Sequence, residues 1–562
     1  MIQISEEIKE CDVLIVGGGI GGLMAAIAAA DCGVRVMVAE KSDTRRSGSG
    51  ATGNDHFNCY IPEYHQCELE TVLNELNNSM VGGNADPYIQ RKFLERSLEV
   101  VQDWHKWGID MQPHGKWEFN GHAFPGRKRI FLKYNGYNQK EVLTNEAKKR
   151  GVIIENKTPI VEYLKDEEGK IEGAVGIDIS KEEPTLKIFK TAAIISATGN
   201  TSRLYPSITP SELFNTAHCP NNTGAGRAAA YRAGARLVNL EIPNTHAGPK
   251  YFERCGKATW IGVISGPEGK AVGPFVKKPD KELGDITADV WHSIFQDKMR
   301  DGSGPVYMNC TETEPEDMEY MRWGLRCEGD TALMDAIDAT GAAFETDMFE
   351  FTKYEPILVG RGIEIDENGA TSIPGLYAAG DEVGNFRADI AGAAVIGRFA
   401  GEAAGGYIKT VKPVPGGLKE HKKVKELVER YTALIENNGS SSWKEFNHGI
   451  QSILNDYAGI QFVRSETLLK AGLVYLEQLE ATAKKQLHVK NAHELMRAQE
   501  CFDLLTVGKL ICKTALERKE SRGMHHRSDF PFTNPLLNNK FLTIRQENGK
   551  DIYEWRDIIF EK

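Results

Sequence analysis

The chain has 562 residues, 41% of them hydrophobic and 26% charged, with a net charge of −11. That length supports about two to four domains with sizeable cores. The acidic balance excludes bulk nucleic-acid binding, and no run approaches the roughly 20 apolar residues of a membrane span.

The first element is the most informative. Val13-Leu-Ile-Val enters the turn Gly17-Gly18-Gly19-Ile20-Gly21-Gly22, a small-residue helix leaves it (Leu23 to Asp31), and a second strand, Val34 to Ala39, ends at Glu40. This is a βαβ unit for a dinucleotide: Gly17 permits the tight turn, Gly19 lets the backbone approach the pyrophosphate, and Gly22 lets helix and strand pack closely. The helix N-terminus offers N–H groups to phosphate, and Glu40 is placed for ribose hydroxyls. Lys41 to Gly53 is polar and irregular, and Tyr88 to Trp104 has helical apolar spacing. Ile160–Leu164 and Ile171–Ile179 read as strands joined by the polar turn Asp166–Lys170. Ala192 to Gly199 reads as a buried strand ending in a glycine turn, followed by a helix at Gly224–Ala233 and a short strand at Arg236–Leu240. From Glu241 to Thr346 the pattern loosens into an inserted domain.

The nucleotide pattern returns at Gly375-Leu-Tyr-Ala-Ala-Gly380-Asp381 and runs into a small-residue helix, Ala388–Gly405. A dinucleotide fold completed more than 300 residues after it begins is typical of FAD-binding flavoproteins. Asp381 is read as accepting from a ribityl hydroxyl, or as capping the following helix. After a Pro/Gly linker at 413–417 the chain turns helical (Leu418–Glu436, Arg464–Gln486, Ala492–Lys519) and ends with a strand-like Phe541–Ile544. The expected fold class is α/β: a Rossmann-like FAD-binding domain (1–240 plus 347–411) with an inserted α+β capping domain (241–346), a C-terminal helical domain (418–528) and a tail (529–562). Ten scattered cysteines form no CxxC pair. That argues against an iron–sulfur or zinc site in this chain and for reduced thiols in the cytoplasm. The expected metal set is none, and the short charged N-terminus lacks a signal-peptide core.

The Gly17–Glu40 unit, Asn222–Gly226 with Ala233–Ala235, Gly375–Asp381 and the tail string Arg518-Lys-Glu-Ser-Arg522-Gly-Met-His525-His526-Arg527-Ser-Asp529 together resemble one family. It is the flavoprotein subunits of the fumarate reductase/succinate dehydrogenase superfamily. Within it the chain looks most like the adenylylsulfate reductase α-subunit. Arg46-Ser47-Gly48 leads without a gap to Asn58-Cys-Tyr60, Met299–Met308 is similar to a string of that subunit, and Glu241 opens a stretch ending at Trp260.

The resemblance implies an FAD-dependent oxidoreductase of anaerobic metabolism. It would reduce adenylylsulfate or phosphoadenylylsulfate at flavin N5 with electrons from a small ferredoxin-like iron–sulfur subunit. The assembly would be a hetero-oligomer that meets a membrane only through a partner. The alternatives are a fumarate reductase-like enzyme acting on another organic acid and a flavin electron-transfer subunit.

Departures from the family matter as much. Ser47 or Gly48 stands where membrane-type relatives bond flavin through histidine, so FAD is expected to be non-covalent. Gly284–Val290 lacks the donor arginine, Ala391–Val395 lacks the substrate arginine, and Arg361 stands where a histidine is expected before the second flavin motif.

The expected cofactor contacts are Gly17, Gly19, Gly22, Glu40, Lys41, Arg46, Ser47, Gly48, Gly53, Thr198, Gly199, Gly380, Asp381, Ala394 and Val395. The expected catalytic set is Asn58, His246, Lys250, Arg254, Trp260 and Arg361. Asn58 is read as a polar contact at the flavin edge or a turn cap. The cations are read as a binding site for a small anionic substrate, or as a solvated loop, and Trp260 as a stacking platform or core. His56 is a further pocket candidate. Arg522, His525, His526 and Arg527 read as structural, closing the helical domain over the FAD domain.

Overall fold

A computed structural model describes residues 4–79, 83–121, 126–250, 260–460 and 463–562. A five-stranded parallel sheet carries the glycine turn. Its order is Leu376–Ala378, Ala193–Ser196, Val13–Val16, Val36–Ala39, Ile153–Glu155. The four central residues Val13–Val16 are all buried, as a strand covered on both faces requires. Strand order reverses at Val13–Val16, and the crevice beyond the carboxyl ends of the strands at such a reversal is where ligands bind.

The helix Ile20–Asp31 lies against Asp389–Ile408 with backbones nearly touching. A Cβ at Gly397 would stand 2.3 Å from the Gly21 carbonyl, and one at Gly401 2.4 Å from that of Ala25. The two glycine motifs, distant in sequence, are thereby clamped into one wall. A second, four-stranded sheet (Ser5–Glu10, Thr185–Lys190, Ile171–Asp178, Ile160–Lys165) contains the expected hairpin.

The inserted region has its own core around Trp260, Ile264, Met308, Met321 and Phe351. Its sheet orders Ala247–Pro249, Phe349–Lys353, Val306–Asn309, Val263–Ser265, and the helices Pro315–Glu328 and Thr331–Thr340 follow its third strand in sequence. The strand Phe349–Lys353 pairs with two others of this sheet, so the region runs past residue 346.

The helical region contains Lys422–Glu436, Trp443–Ala458, Glu466–Gln486 and Ala492–Glu517. The second of these escaped the periodicity reading; a capping box of Ser442 and Glu445 starts it. Residues beyond 529 do not stand apart. Lys540–Glu547 and Lys550–Asp557 form a hairpin that extends the sheet of Leu237–Val238 and Gly362–Ile363. Among the described residues no helix is long and apolar enough to cross a membrane.

The tail string is a structural lock. Arg527 donates to the Ala515 carbonyl at 2.6 Å, and His525 Nε2 lies 3.0 Å from the Arg518 carbonyl, both at the end of Ala492–Glu517. Cations and donors belong at a helix C-terminus. Arg518 Nε reaches the buried Glu241 Oε1 at 2.6 Å, joining the helical region to the start of the inserted one.

Candidate active site

Two connected needs shape the site: a channel for a dinucleotide and a chamber for what it reacts with. The channel runs along the carboxyl end of the parallel sheet. Gly17 has φ +98° and a Cβ there would stand 2.4 Å from the Ala197 carbonyl, so no other residue fits. A Cβ at Gly22 would meet the Gly17 carbonyl at 1.9 Å, whereas at Gly19 the nearest atom is 4.0 Å away. Gly22 therefore serves helix–strand packing and Gly19 keeps the backbone open to a ligand. Glu40 is buried at the strand end and accepts from the Gly18 and Ser42 N–H groups at 2.6 and 2.7 Å. The buried Lys140 ammonium donates to the Gly18 carbonyl behind the turn, and burial pushes its pKa down to about 8.

Arg46, Ser47, Gly48, Thr198, Gly199, Gly380 and Asp381 complete the channel wall. The Thr198 hydroxyl is held by the buried Glu382. Burial and the nearby Asp389 push the Asp381 carboxyl up to about 6. Asp389 itself opens its helix at φ +47°, a conformation that costs a non-glycine residue energy and gathers at ligand sites. Arg227 ties this wall together: its guanidinium donates to the carbonyls of Gly199, Leu358, Arg361 and Asp381 at 2.6–3.0 Å. No sequence motif had drawn attention to it.

The residues fit FAD. The glycine cradle is open at Gly19, and the buried Ser47 hydroxyl and both polar atoms of the Asn58 amide have no protein partner among the described residues. Buried polar groups are rarely left so without a ligand or water to satisfy them.

Three expected contacts sit elsewhere, and a fourth, Lys41, is claimed by the protein. Gly53 packs against the inserted region, where a Cβ would stand 2.0 Å from the Cys327 carbonyl. Ala394 and Val395 are fully buried in the core, while Ile390 and Ala393, earlier on the same helix, border the channel. Helical phase decides that difference. Lys41 borders the channel, but its ammonium is taken by Glu500 at 2.8 Å and the Asn221 carbonyl at 2.6 Å.

A chamber of about 760 Å³ lies between the FAD-binding and inserted regions. His246, Trp260 and Arg361, three of the expected catalytic residues, border it. Arg361 is buried and donates to the Ile242 and Gly360 carbonyls at 2.6 Å each. The His246 ring lies 5.0 Å from that of His218. Trp260 also belongs to the inserted core, edge-on to Phe351 at 5.0 Å. Asn58 shares a strand with His56 but is buried and does not border the chamber, and Lys250 is turned to Glu350 at 2.6 Å. Arg254 lies outside the described residues.

Three residues join the chamber unannounced: Lys353, His292 and Arg387. Lys353 donates to the His292 carbonyl at 3.0 Å, and burial pushes its pKa down to about 8. Arg387 pairs with Asp389 at 2.9 Å. The stretch Ala391–Val395 indeed has no arginine, but the fold brings Arg387, four residues earlier, into the same chamber. Its signal was its place six residues beyond Asp381.

Comparison with known proteins places this geometry. A family model described as FAD binding domain matches residues 12–388, well over half the chain, and one described as Fumarate reductase flavoprotein C-term matches 447–562. One of the subunits of the fumarate reductase (CoM/CoB) of Methanothermobacter marburgensis is 23% identical, over 96% of this chain and 98% of that one. The fumarate reductase flavoprotein subunit of Haemophilus influenzae is 23% identical, over 98% and 94%. In fold the chain is similar to the adenylylsulfate reductase of Archaeoglobus fulgidus (TM-score 0.83, 21% identity, 99% and 97% covered). It is also similar to a quinol fumarate reductase of E. coli (TM-score 0.80, 20% identity, 98% and 97%). The chain belongs to the FAD binding domain family and is an FAD-dependent oxidoreductase of the fumarate reductase/succinate dehydrogenase flavoprotein superfamily.

Proposed function

We propose that the protein reduces a sulfo-nucleotide, adenylylsulfate or phosphoadenylylsulfate, with electrons delivered to non-covalently held FAD by a separate small iron–sulfur subunit. The observation that carries this reading is the chamber itself. Its volume of about 760 Å³ has to admit the flavin edge as well as a substrate, and falls among pockets that hold drug-sized ligands, roughly 300–1,000 Å³. Its wall combines cations (Lys353, Arg361, Arg387) with aromatic surface (Trp260, Phe295, Phe351), a pairing suited to an anionic nucleotide.

Bound FAD supplies two electrons at its N5 edge; the chain supplies orientation and charge. Gly19, Ser47 and Asp381 would hold the cofactor, with Glu40 toward the ribose. Arg387 and Arg361 orient the anion, and Lys353 adds a positive charge as long as it stays protonated. Since burial holds that lysine near 8, its charge is present below that pH and is lost above it. KM for the anionic substrate should therefore rise as pH passes through about 8, and Lys353→Met should raise KM and flatten the dependence. A wild-type KM that stays constant as pH crosses that value would rule this out.

The sulfo-nucleotide reading is tested by reducing the flavin with methyl viologen and following its reoxidation. Reoxidation by adenylylsulfate or phosphoadenylylsulfate with release of sulfite is the expected result. Reoxidation by fumarate or enoates alone would favour the second reading, an organic-acid reductase, for which Arg387 beside Arg361 and His246 is the supporting observation. The described cysteines are free thiols, consistent with a reducing, cytoplasmic setting, and none supplies a cluster motif. Full physiological activity of the isolated chain without iron would refute the partner. Acid precipitation should release all flavin into the supernatant, because Ser47 and Gly48 offer no group to bond it.

A further inference from the structure

On the short strand His56–Asn58 alternate side chains share a face. Phe57 points into the core, packed on Trp104 and Tyr134. His56 and Asn58 point the other way, and His56 borders the substrate chamber. His56 Nδ1 lies 2.5 Å from Oδ1 of Asp55, whose side chain is fully buried. An ionised carboxylate can only accept, so Nδ1 carries the donated proton and Nε2 is the nitrogen left for chemistry. The edge of the Phe131 ring, 5.3 Å away and perpendicular, holds the imidazole plane.

Charged groups surround the ring on several sides. Glu328 Oε1, on the helix Pro315–Glu328, stands 3.8 Å from the same Nδ1. Asp330 is buried nearby, and burial with the Asp55 charge pushes its carboxyl up to about 7. Lys133 faces His56 across the strand pair, its ammonium over the rings of Trp323 and Tyr320 at 4.3 and 4.8 Å. Tyr134 and Tyr320 are held neutral by burial. The inserted region's Gly284–Val290 has no arginine to act as an acid.

We propose that His56 is the proton donor of the reduction and that Asp55 is the residue that positions it. This rests on the sulfo-nucleotide reading. The S–O bond to the bridging oxygen breaks, the sulfur takes two electrons that originate in reduced FAD and passes from sulfate to sulfite, and the bridging oxygen stays on the phosphate with the proton from His56. The arrangement is that of an Asp–His pair in which the carboxylate sets the tautomer and stabilises the imidazolium.

The test uses the FAD-loaded protein with reduced methyl viologen as donor and adenylylsulfate as acceptor. His56→Gln should lower kcat by about 10²–10⁴-fold with FAD content and KM close to wild type, and added imidazole should restore part of the activity of His56→Gly. Asp55→Asn should keep its FAD and move the alkaline fall of activity to lower pH, because the imidazolium loses its counter-charge. An H56Q enzyme with wild-type kcat would overturn the proposal, as would a loss that imidazole does not relieve and that leaves the pH profile in place. Activity abolished by EDTA and restored by a divalent cation would also overturn it, making Asp55, His56 and Glu328 a metal site. A wild-type enzyme inert toward sulfo-nucleotides would sink the substrate reading and this one together; an active wild type with an unimpaired H56Q sinks this one alone.

Discussion

Arg227→Met should purify with less than about a tenth of its FAD and melt well below the wild type. The reason is local and large. The guanidinium is fully buried and is spent on backbone: Nε to the Arg361 carbonyl at 2.6 Å, Nη1 to Gly199 at 2.7 Å, Nη2 to Leu358 at 3.0 Å and Asp381 at 2.7 Å. Those carbonyls belong to three separate segments, two of which end in the channel wall. Burial already pushes the arginine pKa down to about 10, so the cation costs desolvation energy that the four acceptors must offset. Removing it leaves the acceptors buried and unpaired at about 1–3 kcal/mol each, less the desolvation recovered. A net loss of about 3–5 kcal/mol is expected, the range for breaking a buried charged pair. Lysine, with three donors on one atom, cannot span the same four oxygens. The ratio of flavin to protein absorbance and the thermal midpoint measure both effects. A flavin-replete R227M with an unchanged midpoint would show that the wall is held by something else.

Arg387→Met should act differently: FAD retained, kcat/KM for the anionic substrate lowered by about 10- to 150-fold. A hydrogen bond to a charged group contributes about 1.5–3 kcal/mol, and each 1.4 kcal/mol is tenfold. Arg387 borders the chamber and is anchored by Asp389 at 2.9 Å, which presents the guanidinium with its entropy already lost. Arg387→Lys should recover only part of the loss, since an ammonium cannot make the paired contacts of a planar fork. Steady-state kinetics at constant flavin content separates this from a cofactor effect. Equal kcat/KM for wild type and R387M would remove Arg387 from substrate binding and weaken both substrate readings.

Much of the channel was legible because its parts are local. Strand, glycine turn, helix and acid fall within Val13–Glu40, and Gly375–Asp381 repeats the logic; each glycine role follows from spacing alone. Where spacing did not suffice, the reading slipped. Ala394 and Val395 lie on the right helix at the wrong phase, and Ile390 and Ala393 face the channel instead. Gly53 stands among the expected cofactor contacts, yet its φ of +112° serves close packing on Cys327. Lys41 sits where a cofactor cation is expected but is claimed by Glu500, on a helix whose approach no local pattern announces.

The substrate chamber was hardly legible, since its walls come from segments far apart in the chain. His56 was marked only by its place beside Asn58, while His292, Lys353 and Arg387 carry no motif and each reads alone as an ordinary surface or loop residue. Only packing of the inserted sheet over the carboxyl ends of the parallel strands makes them neighbours. By itself the sequence determined the cofactor and the superfamily, because these rest on short-range spacing and on strings read within one element. The tertiary structure decided which cations face a ligand and which are consumed by the protein, because burial and pairing are set by contacts between residues hundreds of positions apart.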